Sequence, residues 1–295
     1  MRTYRFYQVD VFTERPFAGN PLAVFPDAAG LSDDEMQAIA REMNLSETTF
    51  VTPSEGQGDV RVRIFTPGRE LPFAGHPSIG TACMLVRLGI VPATEPTTPV
   101  VLGLGVGPTP LEVTVRDGEP VSAVLHQGAP EFGEEIPRRE AAAVLGLQES
   151  DLHEELDPLG VSTGLLYAII PLRSTRTLAQ AWFRLDLLGD FERRYGDLYP
   201  FALTGDDEPL AEARCFGPNE GIIEDPATGS AAGPLAAYLA RHGLLTLGSK
   251  RVIAQGRHTG RPSQLTVSVE GEGNHFRDVL VEGGVVPVLS GELTL

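Results

Sequence analysis

Three side chains of this sequence, Glu47, His76 and Asp225, could take part in moving a proton. Glu47 follows a predicted helix end and begins an apolar strand, a place where partial burial would raise the pKa of its carboxyl group. A carboxyl group tuned in this way can take a proton from carbon and return it at another position. We therefore predict that Glu47 acts as an acid and a base. The alternative is that Glu47 is an exposed residue at the end of a strand and has no chemical role.

His76 and Asp225 each precede a proline, Pro77 and Pro226, at the predicted start of a helix. A protonated histidine there would hold an anion or polarise a carbonyl group, and a neutral one could relay a proton. Helix capping is the alternative for His76, and it accounts for Asp225 equally well because the helix dipole favours a negative charge at that end. If the two halves of the chain pack about a pseudo-twofold axis, Asp225 would face the same space as His76.

The two segments that contain these prolines, residues 65–82 and 216–232, follow the same plan. Each runs from an apolar strand through a loop with Pro and Gly into small residues that begin a helix. Backbone N–H groups at such a helix start lack intrahelical partners, and the helix dipole suits them to an anion. Two such starts facing each other would hold one small carboxylic acid. The hydroxyls of Thr228 and Ser230 would contribute, unless they serve only helix packing.

The composition argues against several other classes of protein. A formal net charge of −17 and a pI near 4.7 disfavour binding to nucleic acid or to an anionic membrane, because both need clustered Lys and Arg. Two cysteines are too few for a disulfide framework, and neither a signal peptide nor a long apolar span occurs in the sequence. We expect a protein of a reducing compartment, the cytoplasm.

The sequence also predicts no metal and no cofactor. The six histidines are dispersed, and neither HExxH nor CxxC occurs. A glycine-rich stretch at 103–107 is followed by a predicted strand where a dinucleotide-binding turn would need a helix. Lys250 is the one lysine, so few positions could form a Schiff base. Acid–base chemistry without a cofactor is the chemistry most consistent with these absences.

The many glycines and prolines, with short helices between β-branched runs, predict mixed α/β structure. The similarity of the two halves predicts an N-terminal domain over residues 1–120, completed by residues 286–295, and a C-terminal domain over residues 121–285. A capping box at Ser32 and Glu35 predicts a helix that runs to about Met43. Further helices are expected over 78–88, 177–188 and 228–242.

Several motifs, taken together and in order, resemble the phenazine-biosynthesis PhzF family over nearly the whole chain. These motifs are Asn44-Leu45-Ser46-Glu47-Thr48, Pro72-Phe73-Ala74-Gly75-His76-Pro77, Asp225-Pro226-Ala227-Thr228-Gly229-Ser230 and Gly260-Arg261-Pro262-Ser263. The resemblance implies a diaminopimelate-epimerase-like fold, with two similar pseudo-twofold-related α/β domains. In each of them a mixed sheet would wrap around a central helix, and the site would lie in the cleft between them.

The resemblance further implies a cofactor-independent isomerase of the dihydro-hydroxyanthranilate type, and it makes a homodimer the expected assembly. Glu47 matches the proton-transferring residue of that family, and His76, Asp225 and Ser230 match positions that line its site. Backbone amides at the two helix starts would hold the substrate carboxylate. The substrate-binding residues expected on this basis are Gly75, Ser78, Gly80, Thr228, Gly229, Ser230 and Ala231.

Two departures and two alternatives accompany this resemblance. Related epimerases use two facing cysteines, but the matching positions here are Gly75 and Asp225, whereas Cys83 and Cys215 lie elsewhere. Two-thiol racemisation is therefore disfavoured. Thr259 stands where the family more often has methionine, which could alter substrate preference. The alternatives left open are an epimerase of an amino or hydroxy acid and a non-catalytic small-molecule binding protein.

Overall fold

The structure, a computed structural model, describes residues 1–54, 56–205, 208–218 and 222–295. It divides into two units. Unit 1 contains Met1–His126 and Glu282–Leu295 together with Ile222, and unit 2 contains Gln127–Pro218 and Ile223–Val281. The chain therefore returns to unit 1 at its C-terminal end.

Unit 1 is a mixed sheet, as its strand pairings show. Its strands are β1 Thr3–Val11, β2 Asn20–Phe25, β3 Glu47–Pro53, β4 Val60–Phe65, β5 Glu70–Leu71, β6 Thr97–Leu104, β7 Gly107–Arg116, β8 Glu119–His126 and, from Glu282 onward, the last strand β18 His275–Thr294, which begins in unit 2. β1 and β2 are antiparallel, β2 and β3 are parallel, and β3 and β4 are antiparallel. β4 runs parallel to β6, which continues through β7 to β8 in antiparallel pairs. β18 pairs with both β1 and β8, so the sheet closes on itself.

The described residues of unit 1 form two α-helices. Helix α1, Asp33–Met43, begins with the predicted capping box between Ser32 and Glu35 and ends at Asn44, whose φ of 49° is left-handed. Helix α2, Gly75–Arg87, is buried over all but its last residue and packs against β1, β2 and β8. A helix that is apolar on every side needs such an enclosed position. The sheet of unit 1 thus wraps around α2.

Unit 2 also contains a mixed sheet, with a different order of connections. Its strands are β9 Glu131–Glu135, β10 Leu159–Ser162, β11 Leu166–Leu172, β12 Asp197–Leu203, β13 Ala211–Ala213, β14 Cys215–Gly217, β15 Ile222–Asp225, β16 Arg251–Gln255 and β17 Ser263–Glu272. β9, β10 and β11 are antiparallel neighbours, and β11 runs parallel to β12. β12 pairs with β13, β13 runs parallel to β16, and β16 is antiparallel to β17.

The helices of unit 2 are α3 Arg138–Val144, α4 Thr175–Gln180, α5 Leu185–Tyr195 and α6 Gly229–Arg241. Helix α6 is the central one, since it is almost entirely buried and packs against β10, β11 and β17. The single helix predicted over 177–188 is wrong. The chain leaves the helix at Ala181 because the amides of Trp182 and Arg184 donate instead to carbonyl groups of Leu145 and Val144.

Both units therefore have a central helix within a sheet, and the predicted mixed α/β class is confirmed. No helix among the described residues is long and apolar enough to cross a membrane.

Candidate active site

The two residues with acid–base chemistry in unit 1 lie side by side. Glu47 is the first residue of β3, and His76 is the second residue of α2. Glu47 Oε2 and His76 Nε2 are 3.5 Å apart, with 13% and 3% of the two side chains exposed. The structure thus brings a carboxyl group and an imidazole together in a mostly buried position at the start of the central helix.

Burial decides the charge of His76. Loss of solvent lowers the pKa of the ring to about 3, although a hydrogen bond to the backbone of Pro21 acts in the opposite direction. Pro21 has no N–H, so its carbonyl group accepts this bond from the ring. Asn20 Nδ2 lies 3.2 Å from Nδ1 of the same ring. His76 is therefore neutral near pH 7, and of its two predicted states the one that relays a proton is favoured.

The start of α2 leaves few polar groups for a ligand. Its N-cap is Ala74, which has no side-chain hydrogen-bonding group, so the amides of Gly75 and His76 precede the first intrahelical bond. Ser78, predicted to bind substrate, donates its hydroxyl to the carbonyl of Ala74 at 2.7 Å. Gly80 lies in the second turn, where an added Cβ would be 2.6 Å from Leu22 Cδ2. The close packing of α2 against the sheet thus explains why residue 80 is a glycine.

In unit 2, Asp225 lies close to the start of α6. It is the last residue of β15, and its side chain is buried. The N-cap of α6 is Thr228, three residues further along. Thr228, and not Asp225, is therefore the N-cap residue of α6. The Thr228 hydroxyl instead donates to Asp225 Oδ2 at 2.6 Å.

The first turn of α6 contains the other predicted binding residues of unit 2. The amides of Ala231 and Ala232 both donate to the carbonyl of Thr228, at 3.1 and 3.0 Å. The amides of Gly229 and Ser230 precede these bonds, as those of the first helical residues do in general. A ligand contact through the Ala231 amide is thus disfavoured, and Gly229 and Ser230 are the better donors.

Two polar residues of unit 2 escaped the sequence analysis. Tyr167, in an apolar strand, has its hydroxyl 2.7 Å from Ser230 Oγ. Gln255, the last residue of β16, bonds to both Thr228 and Asp225. The one available signal for Gln255 was a polar residue directly before Gly256 that follows the apolar run Val252-Ile253-Ala254.

Thr259, the departure from the family pattern, lies in a 3-10 turn and donates its hydroxyl to the carbonyl of Gly256 at 3.0 Å. A methionine could not make this bond. The substitution is therefore compatible with the local turn.

Neither cysteine is suited to act as a base. Both are buried, and burial raises the pKa of the Cys83 thiol to about 12 and that of Cys215 well above its usual value. The thiols are therefore neutral. Among the residues that the structure describes, no group of His, Cys, Asp and Glu could hold a metal ion.

Fold and site together define a class of protein. A sheet with a central helix, repeated in two units, is a fold that this chain shares with a known epimerase. A crystal structure of a hydroxyproline epimerase from Agrobacterium vitis matches with a TM-score of 0.71, covering 100% of this chain and 93% of that one. At 15% identity this match shows the fold alone.

The particular family follows from closer matches. The family model described as phenazine biosynthesis-like protein, PhzC-PhzF, matches residues 9–291, so the chain belongs to this family. A trans-2,3-dihydro-3-hydroxyanthranilate isomerase from Pseudomonas aeruginosa is 37% identical over 292 residues, 99% of this chain and 100% of that protein. A PhzF-family protein from Bacillus anthracis has a TM-score of 0.88 at 28% identity, with 100% of each chain covered. Several relatives are named as isomerases, and the chain is an isomerase.

Proposed function

We propose that this isomerase acts on a small carboxylic acid, without a cofactor, and that Glu47 carries the proton from one carbon atom to another. The observation that carries the proposal is the pairing of Glu47 with a buried, neutral His76 at 3.5 Å. The 37% identity to a protein named as a trans-2,3-dihydro-3-hydroxyanthranilate isomerase supports a substrate of the same kind.

The reaction is balanced without any other reagent. Glu47, as the carboxylate, takes a proton from a C–H bond, and the electron pair of that bond moves into the conjugated system of the substrate. The proton, now on Glu47, is delivered to a different carbon of the same molecule. One C–H bond breaks, one forms, and Glu47 is again a carboxylate. The product is an isomer in which the double bonds have shifted.

The neutral state of His76 fits this role. An imidazolium at 3.5 Å would stabilise the Glu47 carboxylate and make it a poorer base. A neutral ring instead offers hydrogen bonding to a polar substituent and to the carboxyl group as it gains and loses its proton. We infer that His76 positions the substrate, and that Asp225 binds a polar group of the substrate.

The helix starts provide the proposed anion binding. The amides of Gly75 and His76 in unit 1, and of Gly229 and Ser230 in unit 2, are the donors that precede intrahelical bonding. Binding of the substrate carboxylate by these donors is part of the proposal. That the two helix starts hold one substrate together stays a prediction, as do the domain boundaries, the homodimer and the cytoplasmic location.

The two alternatives have less support. An epimerase that uses two thiols is disfavoured because both thiols are buried and neutral. A non-catalytic binding protein is excluded because the chain is an isomerase.

The proposal is tested by incubating the protein with trans-2,3-dihydro-3-hydroxyanthranilate in heavy water and following proton NMR spectra. We expect turnover, with solvent deuterium entering the product wherever Glu47 exchanges before it returns its proton. The nearly isosteric Glu47→Gln should lose turnover but still bind, and Glu42→Gln, an exposed change on α1, should behave as the unmodified chain. Full activity of Glu47→Gln would exclude the mechanism.

A further inference from the structure

Gln255 makes a complete set of side-chain hydrogen bonds inside unit 2. It is buried at the end of β16. Its Oε1 accepts from the amide of Thr228 at 3.2 Å and from the hydroxyl of Tyr199 at 2.9 Å. Its Nε2 donates to the carbonyl of Asp225 at 2.8 Å and to Thr228 Oγ1 at 3.0 Å. An amide side chain has two donor hydrogens and two acceptor lone pairs, so its capacity is fully used.

The partners fix which end of the amide is which. The backbone N–H of Thr228 can only donate, and the backbone carbonyl of Asp225 can only accept. Gln255 must therefore present oxygen to the first and nitrogen to the second. Because its nitrogen also donates to Thr228 Oγ1, the Thr228 hydroxyl has its own hydrogen directed at Asp225 Oδ2, 2.6 Å away. The direction of the whole chain of bonds is thus determined.

We propose that Gln255 is a positioning residue that, through the Thr228 hydroxyl, holds Asp225 Oδ2 as a hydrogen-bond acceptor and orients its carboxylate. This inference rests on the role given to Asp225 in the proposed function.

The groups around Asp225 make the Thr228 hydroxyl important. The titratable groups that interact with Asp225 from neighbouring strands are Tyr167 on β11, Tyr199 on β12 and Cys215 on β14. Burial raises the pKa of all three well above their usual values, so each is neutral. None of the three brings a positive charge to the carboxylate, and the hydroxyl of Thr228 stabilises its negative charge by donating to Oδ2.

The backbone after Gln255 packs against the turn between β15 and α6, which contains Pro226. Gly256 has a φ of +81°, and an added Cβ would lie 2.5 Å from the carbonyl oxygen of Pro226. The Ser263 hydroxyl donates to that same carbonyl at 2.9 Å. These contacts hold the end of β16 against the turn that carries Asp225. The backbone that carries Gln255 is therefore packed against this turn.

The test measures Asp225 itself, so that it does not depend on activity. The protein is labelled with carbon-13 at the aspartate carboxyl carbons and titrated by NMR, and Asp225→Asn identifies the resonance. Gln255→Met keeps the size of the side chain but removes the directed bonds. We expect the titration midpoint of Asp225 to rise by about one pH unit. Thr228→Val should give a similar rise because it removes only the relaying hydroxyl.

Controls separate orientation from general loss of structure. Gln37→Met makes the same chemical change on α1 in unit 1, where Gln37 donates to the carbonyl of Thr66, and it should leave the Asp225 midpoint unchanged. If Gln255→Met fails to fold, Thr228→Val carries the test. An Asp225 midpoint that stays unchanged in a folded Gln255→Met or Thr228→Val protein overturns the inference.

The outcomes also distinguish this inference from the proposed function. A raised midpoint in a protein that does not isomerise the tested acid supports the Gln255 role and contradicts the substrate assignment. If the enzyme is active and Gln255→Met leaves the titration midpoint of Asp225 unchanged, the isomerase is supported and the positioning role of Gln255 is overturned. In an active enzyme, the Gln255→Met turnover profile should shift to higher pH along with the NMR midpoint.

Discussion

The start of α2 and the start of α6 consist of similar small residues, yet their polar groups are used differently. At α2 the Ser78 hydroxyl is bonded to its own helix, and Glu47 meets His76. At α6 the Ser230 hydroxyl meets Tyr167, and Asp225 is held by Thr228 and Gln255. The first arrangement suits proton transfer and the second suits binding and orientation. Repetition of a structural plan therefore need not repeat its chemistry.

The largest expected effect tests this division directly. Glu47→Gln should reduce kcat by about 10³-fold, the range that removal of a general base produces. Asp225→Asn should reduce it by about tenfold and raise KM, because it alters binding without removing the proton carrier. The measurement is steady-state turnover of trans-2,3-dihydro-3-hydroxyanthranilate. Equal losses in the two variants would contradict the assignment of proton transfer to the α2 side.

The second effect concerns His76 and acid stability. The folded protein holds His76 with a pKa of about 3, whereas the unfolded chain has the ordinary value near 6.5. Between these values the unfolded state binds more protons, so the free energy of unfolding falls as the pH falls, by about 1.4 kcal/mol per pH unit from this group. Above about pH 6.5 His76 is neutral in both states, so it no longer lowers the free energy of unfolding.

Urea unfolding between pH 7 and pH 4 measures this slope. His76→Gln should make the slope shallower by about that amount. His242→Gln is the comparison variant, since His242 is exposed, although burial and Arg241 also lower the pKa of its ring. A slope that is identical with and without His76 would show that the ring is not buried in its neutral form.

A smaller effect separates the two serines. Ser230→Ala should raise KM by about tenfold, equivalent to about 1.4 kcal/mol of substrate binding. Ser78→Ala should instead lower the free energy of unfolding by about 1 kcal/mol, because a buried carbonyl loses its hydroxyl donor. Ser249→Ala, in an exposed turn, is the control for both measurements. The comparison fails if Ser78→Ala raises KM as much as Ser230→Ala does.

The smallest expected effect is on the thiols. Native protein at pH 7 should not react with iodoacetamide at Cys83 or Cys215, whereas denatured protein should react at both, because the raised pKa values keep the buried thiols protonated. Mass spectrometry counts the added groups. Rapid alkylation of native protein accompanied by loss of turnover would revive the two-thiol alternative.

Much of the fold could be predicted because its signals are local. The capping box at Ser32 and the prolines after His76 and Asp225 mark helix starts within a few residues, and those helices are present. The break at Ala181 could not be predicted, because it depends on carbonyl groups of Val144 and Leu145 about forty residues away in sequence. Closure of the sheet of unit 1 by β18 likewise joins the two ends of the chain.

By itself the sequence determined where the two helix starts lie, which residues could move a proton, and the family to which the motifs belong. Only the tertiary structure decided that His76 is neutral, that Ser78 is bonded to its own helix, and that Gln255 directs Thr228 toward Asp225. The reason is physical. A motif specifies side chains and local backbone, whereas desolvation and the direction of a hydrogen bond depend on groups that folding brings from distant parts of the chain.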